Sequence, residues 1–102
     1  MAKKCVSFGI VRRGAGESWE GPFKVSIGKP AWVNVSKEDV NHGIEIRVEV
    51  VSGNGRKKRT ILPWTKASKI TNIGVVTLPK MYVYMRWAGK LPNGHGEICW
   101  EL

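Results

Sequence analysis

The sequence predicts an all-β protein: two similar small antiparallel β motifs, a weak internal duplication, packed into one sandwich or distorted barrel. Three observations point there. Several short stretches, Ile44–Val51 and Met81–Trp87 above all, alternate apolar and polar residues with the two-residue period of a half-buried strand. Gly, Pro and Asn interrupt the chain at the spacing of strand-connecting turns. Finally, Glu45-Ile46-x-Val48-Glu49-Val50 returns as Glu97-Ile98-x-Trp100-Glu101-Leu102, and each copy follows a His-Gly pair, His42-Gly43 or His95-Gly96.

Taken in order, Cys5–Val11 is apolar and β-branched, a first strand, and residues 12–18 form a Gly-containing loop. Phe23–Ile27 alternates, with Phe23, Val25 and Ile27 on one face, until Lys29-Pro30 ends it. Ala31–Val35 is the next strand. Ser36-Lys37-Glu38-Asp39 has the form of a capping box, with room for one helical turn. Ile44–Val51 buries Ile44, Ile46, Val48 and Val50. The linker Ser52-Gly53-Asn54-Gly55 separates a first motif, 3–51, from a second, 56–102, within one compact domain, 1–102.

In the second motif Thr60-Ile61-Leu62 is a strand stub stopped by Pro63, and Trp64–Thr71 carries what helical character the chain has. Gly74–Leu78 leads to Pro79. Met81, Val83, Met85 and Trp87 share one face of a strand and Tyr82, Tyr84 and Arg86 the other. Leu91–Gly96 is a turn by composition, and the last strand closes the chain. Neither half alone carries enough apolar surface to fold, so the two share a core, with Ile46 over Ile98 and Val48 over Trp100.

With 42% apolar residues and five Trp, 102 residues suffice for a real core. The formal charge of +9 is uneven. Residues 1–50 hold eight Lys/Arg against six Asp/Glu, and residues 51–102 hold nine against two. Such an excess draws a phosphate backbone or an acidic protein surface, and it also serves plain solubility. Two cysteines are few for a disulfide scaffold, and Cys5 and Cys99 read as thiols of a reducing compartment. A bond between them remains geometrically open if the first and last strands are neighbours. Arg12-Arg13 interrupts the apolar run after Lys3-Lys4, which does not suit a signal peptide, and no stretch nears the roughly 18 apolar residues of a membrane span. A cytoplasmic location, or a virion, follows, with no membrane partner.

Catalytic chemistry is hard to place. Asp39 is the sole aspartate, and Glu45 and Glu49, four strand residues apart, stand about 13 Å from each other, too far for paired-carboxylate glycosidase work. Cys99 and His95 lack a third, orienting group. Cys5, His42, His95 and Cys99 lack the paired spacings of zinc ligands, and no Gly-rich segment links a strand to a helix as a phosphate cradle does. The expectation is a non-enzymatic binding protein with no metal and no cofactor.

Two kinds of partner fit. One is a protein or peptide, held in a groove between the two β motifs by Trp32, Tyr82 and Tyr84, equivalent positions of the repeat. The alternative is nucleic acid, DNA or RNA. In that case Arg56, Lys57, Lys58 and Arg59 would track phosphates, while Trp64 and the platform ending at Arg86 would meet bases.

The length, the halves opened by Lys3-Lys4 and Arg56–Arg59, and the echoed Glu-Ile-x-[Val/Trp]-Glu-[Val/Leu] ending resemble the small basic orphan proteins of hyperthermophilic archaeal viruses, the Acidianus filamentous viruses among them. The resemblance implies a β-rich protein at work in an infected cell or a virion. It brings no catalytic or binding residues.

Overall fold

The computed structural model describes residues 2–10, 16–89 and 94–102. Among these residues, eight strands and one short helix follow in the order β1 (Lys3–Gly9), β2 (Glu17–Lys24), β3 (Pro30–Val35), α1 (Lys37–Asn41), β4 (Glu45–Val51), β5 (Lys58–Lys66), β6 (Ile70–Val75), β7 (Lys80–Arg86) and β8 (His95–Glu101). They form two four-stranded antiparallel sheets packed as a sandwich, β1-β8-β3-β6 and β2-β7-β4-β5.

The pairs β1·β8, β2·β7, β3·β6 and β4·β5 nest one inside the next. The chain is thus one long hairpin, folded at the turn between β4 and β5 and wound up until β3 meets β8 and β4 meets β7. That is the connectivity of a jelly roll.

The halves of the chain therefore interleave: β1 and β3 share a sheet with β6 and β8, and β2 and β4 share the other with β5 and β7. Exchanging β1 with β5, β2 with β6, β3 with β7 and β4 with β8 turns the first sheet order into the second read backwards. Across that exchange Val33, opposite Ile98, corresponds to Val83, opposite Val48. Ile98 thus stands where Val48 does, two residues from the Ile46 expected from the echoed motif. An even slip preserves which face a side chain takes, so Ile46, Val48, Ile98 and Trp100 are all buried nonetheless.

Alternation decides the core. Ile44, Ile46, Val48 and Val50 are fully buried, as are Met81, Val83 and Met85, and they meet Val33, Val35, Ile98 and Trp100 from the opposite sheet. Gly96 takes an inward position where a Cβ would lie 3.0 Å from the Asn34 carbonyl and 3.1 Å from the Phe8 ring. The side chain is omitted there because two neighbours already occupy its space.

Three local expectations are corrected. Phe23–Ile27 is not one strand: β2 begins earlier, at Glu17, and stops at Lys24, where the chain leaves one sheet for the other. Ile27 lies exposed in that crossing, and the amides of Val25 and Gly28 bond the carbonyls of Pro79 and Val76. Pro63 does not stop a strand. β5 runs through it because β5 is an edge strand and Pro63 falls where its register with β4 shifts, so no ladder donor is required there. Trp64–Thr71 is not helical but the end of β5, a turn and the start of β6. Pairing of β5 with β4 and of β6 with β3 outweighs the weak preference of so short a segment. The expected loop at 12–18 and turn at 91–96 fall partly outside the described residues.

Ser36 caps the helix as expected, but the Asp39 side chain serves the tertiary fold rather than closing the box on the Ser36 amide. The Ser36 side chain accepts from the Asp39 amide and donates to the Asp39 carboxylate at 2.9 Å. Asp39 is fully buried, and its carboxylate also accepts from the backbone amides of Gly94 and His95, at 3.3 Å each. One aspartate thereby fastens α1 to the start of β8.

The two cysteines are not free thiols. Cys5 and Cys99 are directly opposed on β1 and β8 and form a disulfide. Sequence spacing carries no information on which strands are neighbours, and the nesting of β1 on β8 settles it.

Candidate nucleic-acid interface

In this winding the turns β2–β3, β4–β5 and β6–β7 and both chain termini share one end of the sandwich, since each lies at the same end of paired antiparallel strands. Backbone bonds tie the β2–β3 crossing to the β6–β7 crossing, Val25 to Pro79 and Val76 to Lys29. Across residues 2–4, 24–30, 51–59, 75–80 and 101–102 that end gathers Lys3, Lys4, Lys24, Lys29, Arg56–Arg59 and Lys80. Nine of the seventeen basic residues are there, with Glu101 as the sole acidic one. The described residues elsewhere carry five basic and seven acidic side chains. Among the described residues the positive excess therefore sits at this one end.

Within this end, Lys24 lies directly opposite Lys80, Lys80 opposite Val51, and Val51 opposite Lys58. Like charges paired across strands repel, and an anion laid along the row removes that cost. An open groove of about 580 Å³ lies beside it, lined by Arg56, Lys57, Lys58, Arg59, Thr77 and Leu78.

The outer face of the β2-β7-β4-β5 sheet continues from this row. Inward residues alternate with outward ones on each strand, so Trp19, Tyr82, Tyr84, Arg47 and Glu49 face out. Trp19 and Tyr82 meet edge to face at 6.1 Å, and Tyr82 and Tyr84 lie 6.3 Å apart. Arg47 stacks on Tyr84 at 4.1 Å and pairs with Glu49 at 3.4 Å. The Tyr84 hydroxyl donates to Glu49, also at 3.4 Å. Burial raises the Tyr84 pKa above its ordinary value of 10.0, and the Glu49 carboxylate adds to the rise against the opposing pull of Arg47. A cavity of about 380 Å³ opens here between Trp19, Glu49, Lys58, Tyr82 and Tyr84. Lys58 lines both this cavity and the basic groove.

The far edge of the same face is different in kind. Glu17, Arg86, Glu45 and Lys66 are opposed in sequence across the four strands, alternating in sign, and Arg86 bonds Glu45 at 2.7 Å. Arg86 also covers Trp64 at 4.2 Å, with Arg47 at 5.6 Å.

The expected site residues thus separate. Arg56–Arg59 form the basic end as a group. Trp64 is not beside them but under two guanidinium groups, and Arg86 is spent on Glu45, six residues or roughly 20 Å along β7 from Lys80. Tyr82 and Tyr84 stay together, but Trp32 lies on the outer face of the other sheet, with Lys3 over its ring at 5.9 Å. The exchange that relates the two halves also exchanges the sheets, which sends equivalent outward residues to opposite sides of the sandwich. Lys24, Lys80 and Trp19 do not stand out in the sequence. Alternation over Glu17-Ser18-Trp19-Glu20 is the available signal for Trp19; nothing local marks the two lysines.

Donor atoms of Cys5, Glu97 and Cys99 lie within 4.8 Å of one another. Both sulfurs are bonded to each other, so neither offers the thiolate a metal requires. No helix among the described residues is long and apolar enough to cross a membrane. Comparison with protein-family models, with curated proteins and with solved structures finds no match, so no residue role reaches this chain from a relative.

Proposed function

We propose that the protein is non-enzymatic and binds nucleic acid through the basic end of the sandwich. The observation that carries this reading is the gathering of nine basic residues and one acidic one from five separated segments of the chain. Solubility asks only for charge on the surface, whereas here strand and turn positions spread over the whole sequence converge. The directly opposed Lys24 and Lys80 are a cost to the free fold that a phosphate backbone offsets by counterion release and direct contact. The resemblance to hyperthermophilic viral proteins fits as well. An infected cell or a virion presents nucleic acid as its main polyanion, and intracellular proteins of hyperthermophiles are the exception among cytosolic proteins in using disulfides.

The test is fluorescence anisotropy with labelled DNA and RNA over a range of salt. Binding should weaken steeply as salt rises. Replacing Arg56, Lys57, Lys58 and Arg59 with Gln should flatten the log–log slope by roughly 0.7–0.9 for each phosphate no longer neutralised. Replacing Lys37 and Lys69, at the other end, should leave the slope alone. No binding at micromolar protein in low salt, or equal weakening from either set, would remove the reading.

A further inference from the structure

We infer that the cavity between Trp19, Tyr82, Tyr84 and Glu49 receives one unpaired base whose phosphate lies on Lys58, and that it favours bases carrying an exocyclic amino group. The inference rests on the nucleic-acid reading and specifies its ligand as a single strand. Its first support is continuity. Lys58 lines both the aromatic cavity and the basic groove, so a backbone bound to Arg56–Arg59 passes the mouth of the cavity. Its second is ring geometry. Trp19 is 40% exposed and stands edge to face with Tyr82, which leaves an aromatic wall for a flat ligand to lie against. A base held in a duplex cannot reach such a wall without leaving its stack.

The third support is chemical. Glu49 presents a carboxylate to the cavity, held at 3.4 Å by both Arg47 and the Tyr84 hydroxyl. Hydrogen bonds that long leave acceptor capacity on its oxygens. A carboxylate accepts from the amino group of cytosine or adenine and is repelled by the paired carbonyl oxygens of thymine or uracil. A neutral oligosaccharide could also lie on aromatic rings, but it has no use for the lysine row, and a phosphodiester has.

Labelled single strands of about 12 nucleotides, all-dC, all-dA and all-dT, and a duplex of equal length test this by anisotropy. The single strands containing amino groups should bind tighter than the duplex, and all-dT should be weaker than all-dC by about 5-fold or more. Trp19→Ala and Tyr82→Ala should each weaken single-strand binding roughly 5- to 150-fold without changing the salt slope. Tyr82→Phe keeps the ring and should retain binding, which separates loss of stacking from loss of fold. Glu49→Gln should level dC and dT. Steep, salt-dependent binding that is equal for duplex and single strands and indifferent to Tyr82→Ala would overturn the base site while leaving the basic end intact. Absence of any binding would overturn both.

Discussion

Cys5 and Cys99 face each other across β1 and β8 and are covalently joined, closing a separation of 94 residues. The bond ties the edge strand that begins the chain to the central strand that ends it, and so holds the outer turn of the wound hairpin. Cross-linking so long a loop restricts the unfolded chain by roughly 4–5 kcal/mol in the chain-entropy account. Changing both cysteines to Ser should lower the urea midpoint accordingly. Reducing agent should do the same to the native protein and nothing to the double variant.

Asp39 is a buried carboxylate whose partners are the Ser36 hydroxyl and two backbone amides from the far side of the chain. Asp39→Ala takes the acceptor from those two part-buried amides and from the Ser36 hydroxyl, and should cost about 1–3 kcal/mol in all. The loss should appear in thermal melts, and hydrogen exchange at the amides of Gly94 and His95 should rise more than in the sheets. Unchanged protection at those two amides would contradict the role given to the carboxylate.

Ile46 is fully buried where β4 packs into the shared core. Ile46→Ala should cost roughly 2–5 kcal/mol through forfeited transfer energy and the cavity left behind. Ile27→Ala, in the exposed crossing between sheets, should cost little by the same denaturation assay.

The raised pKa of Tyr84 gives the stability a dependence on alkaline pH. The folded state holds the proton more tightly than the unfolded chain. The contribution is therefore complete below the ordinary tyrosine pKa, about 10, and is lost as pH rises through the higher folded value. Tyr84→Phe should lose less stability than the native protein between neutral pH and pH about 11. Identical pH profiles would show that burial and Glu49 do not act on this hydroxyl as described.

Lys80 sits opposite Lys24 at the basic end. Lys80→Gln removes a like-charge pair, so thermal stability should hold or rise slightly while affinity for nucleic acid falls and its salt slope flattens. Stability and binding moving together would mean that Lys80 acts on the fold rather than on a ligand.

Local pattern carries as much as a two-residue period can encode. β3, β4, β7 and β8 are legible in the chain, with Val33, Ile46, Val83 and Ile98 on the inward side, because alternation is local and survives any pairing. The turn at Ser36–Asp39 is legible for the same reason, its signal lying within four residues. Which strands become neighbours is settled by the folded chain as a whole, since partners such as β1 and β8 lie almost the whole chain apart and no local pattern names them. From that pairing follow the disulfide, the survival of β5 through Pro63 at a sheet edge, and the two-residue slip of the echoed motif. The site follows from it too. Arg56–Arg59 are contiguous and can be read, but Lys24 and Lys80 are single residues at strand ends, and Trp19 follows directly on the expected loop at 12–18. They meet because the wound hairpin brings alternate turns to one end, where the charge of distant segments adds.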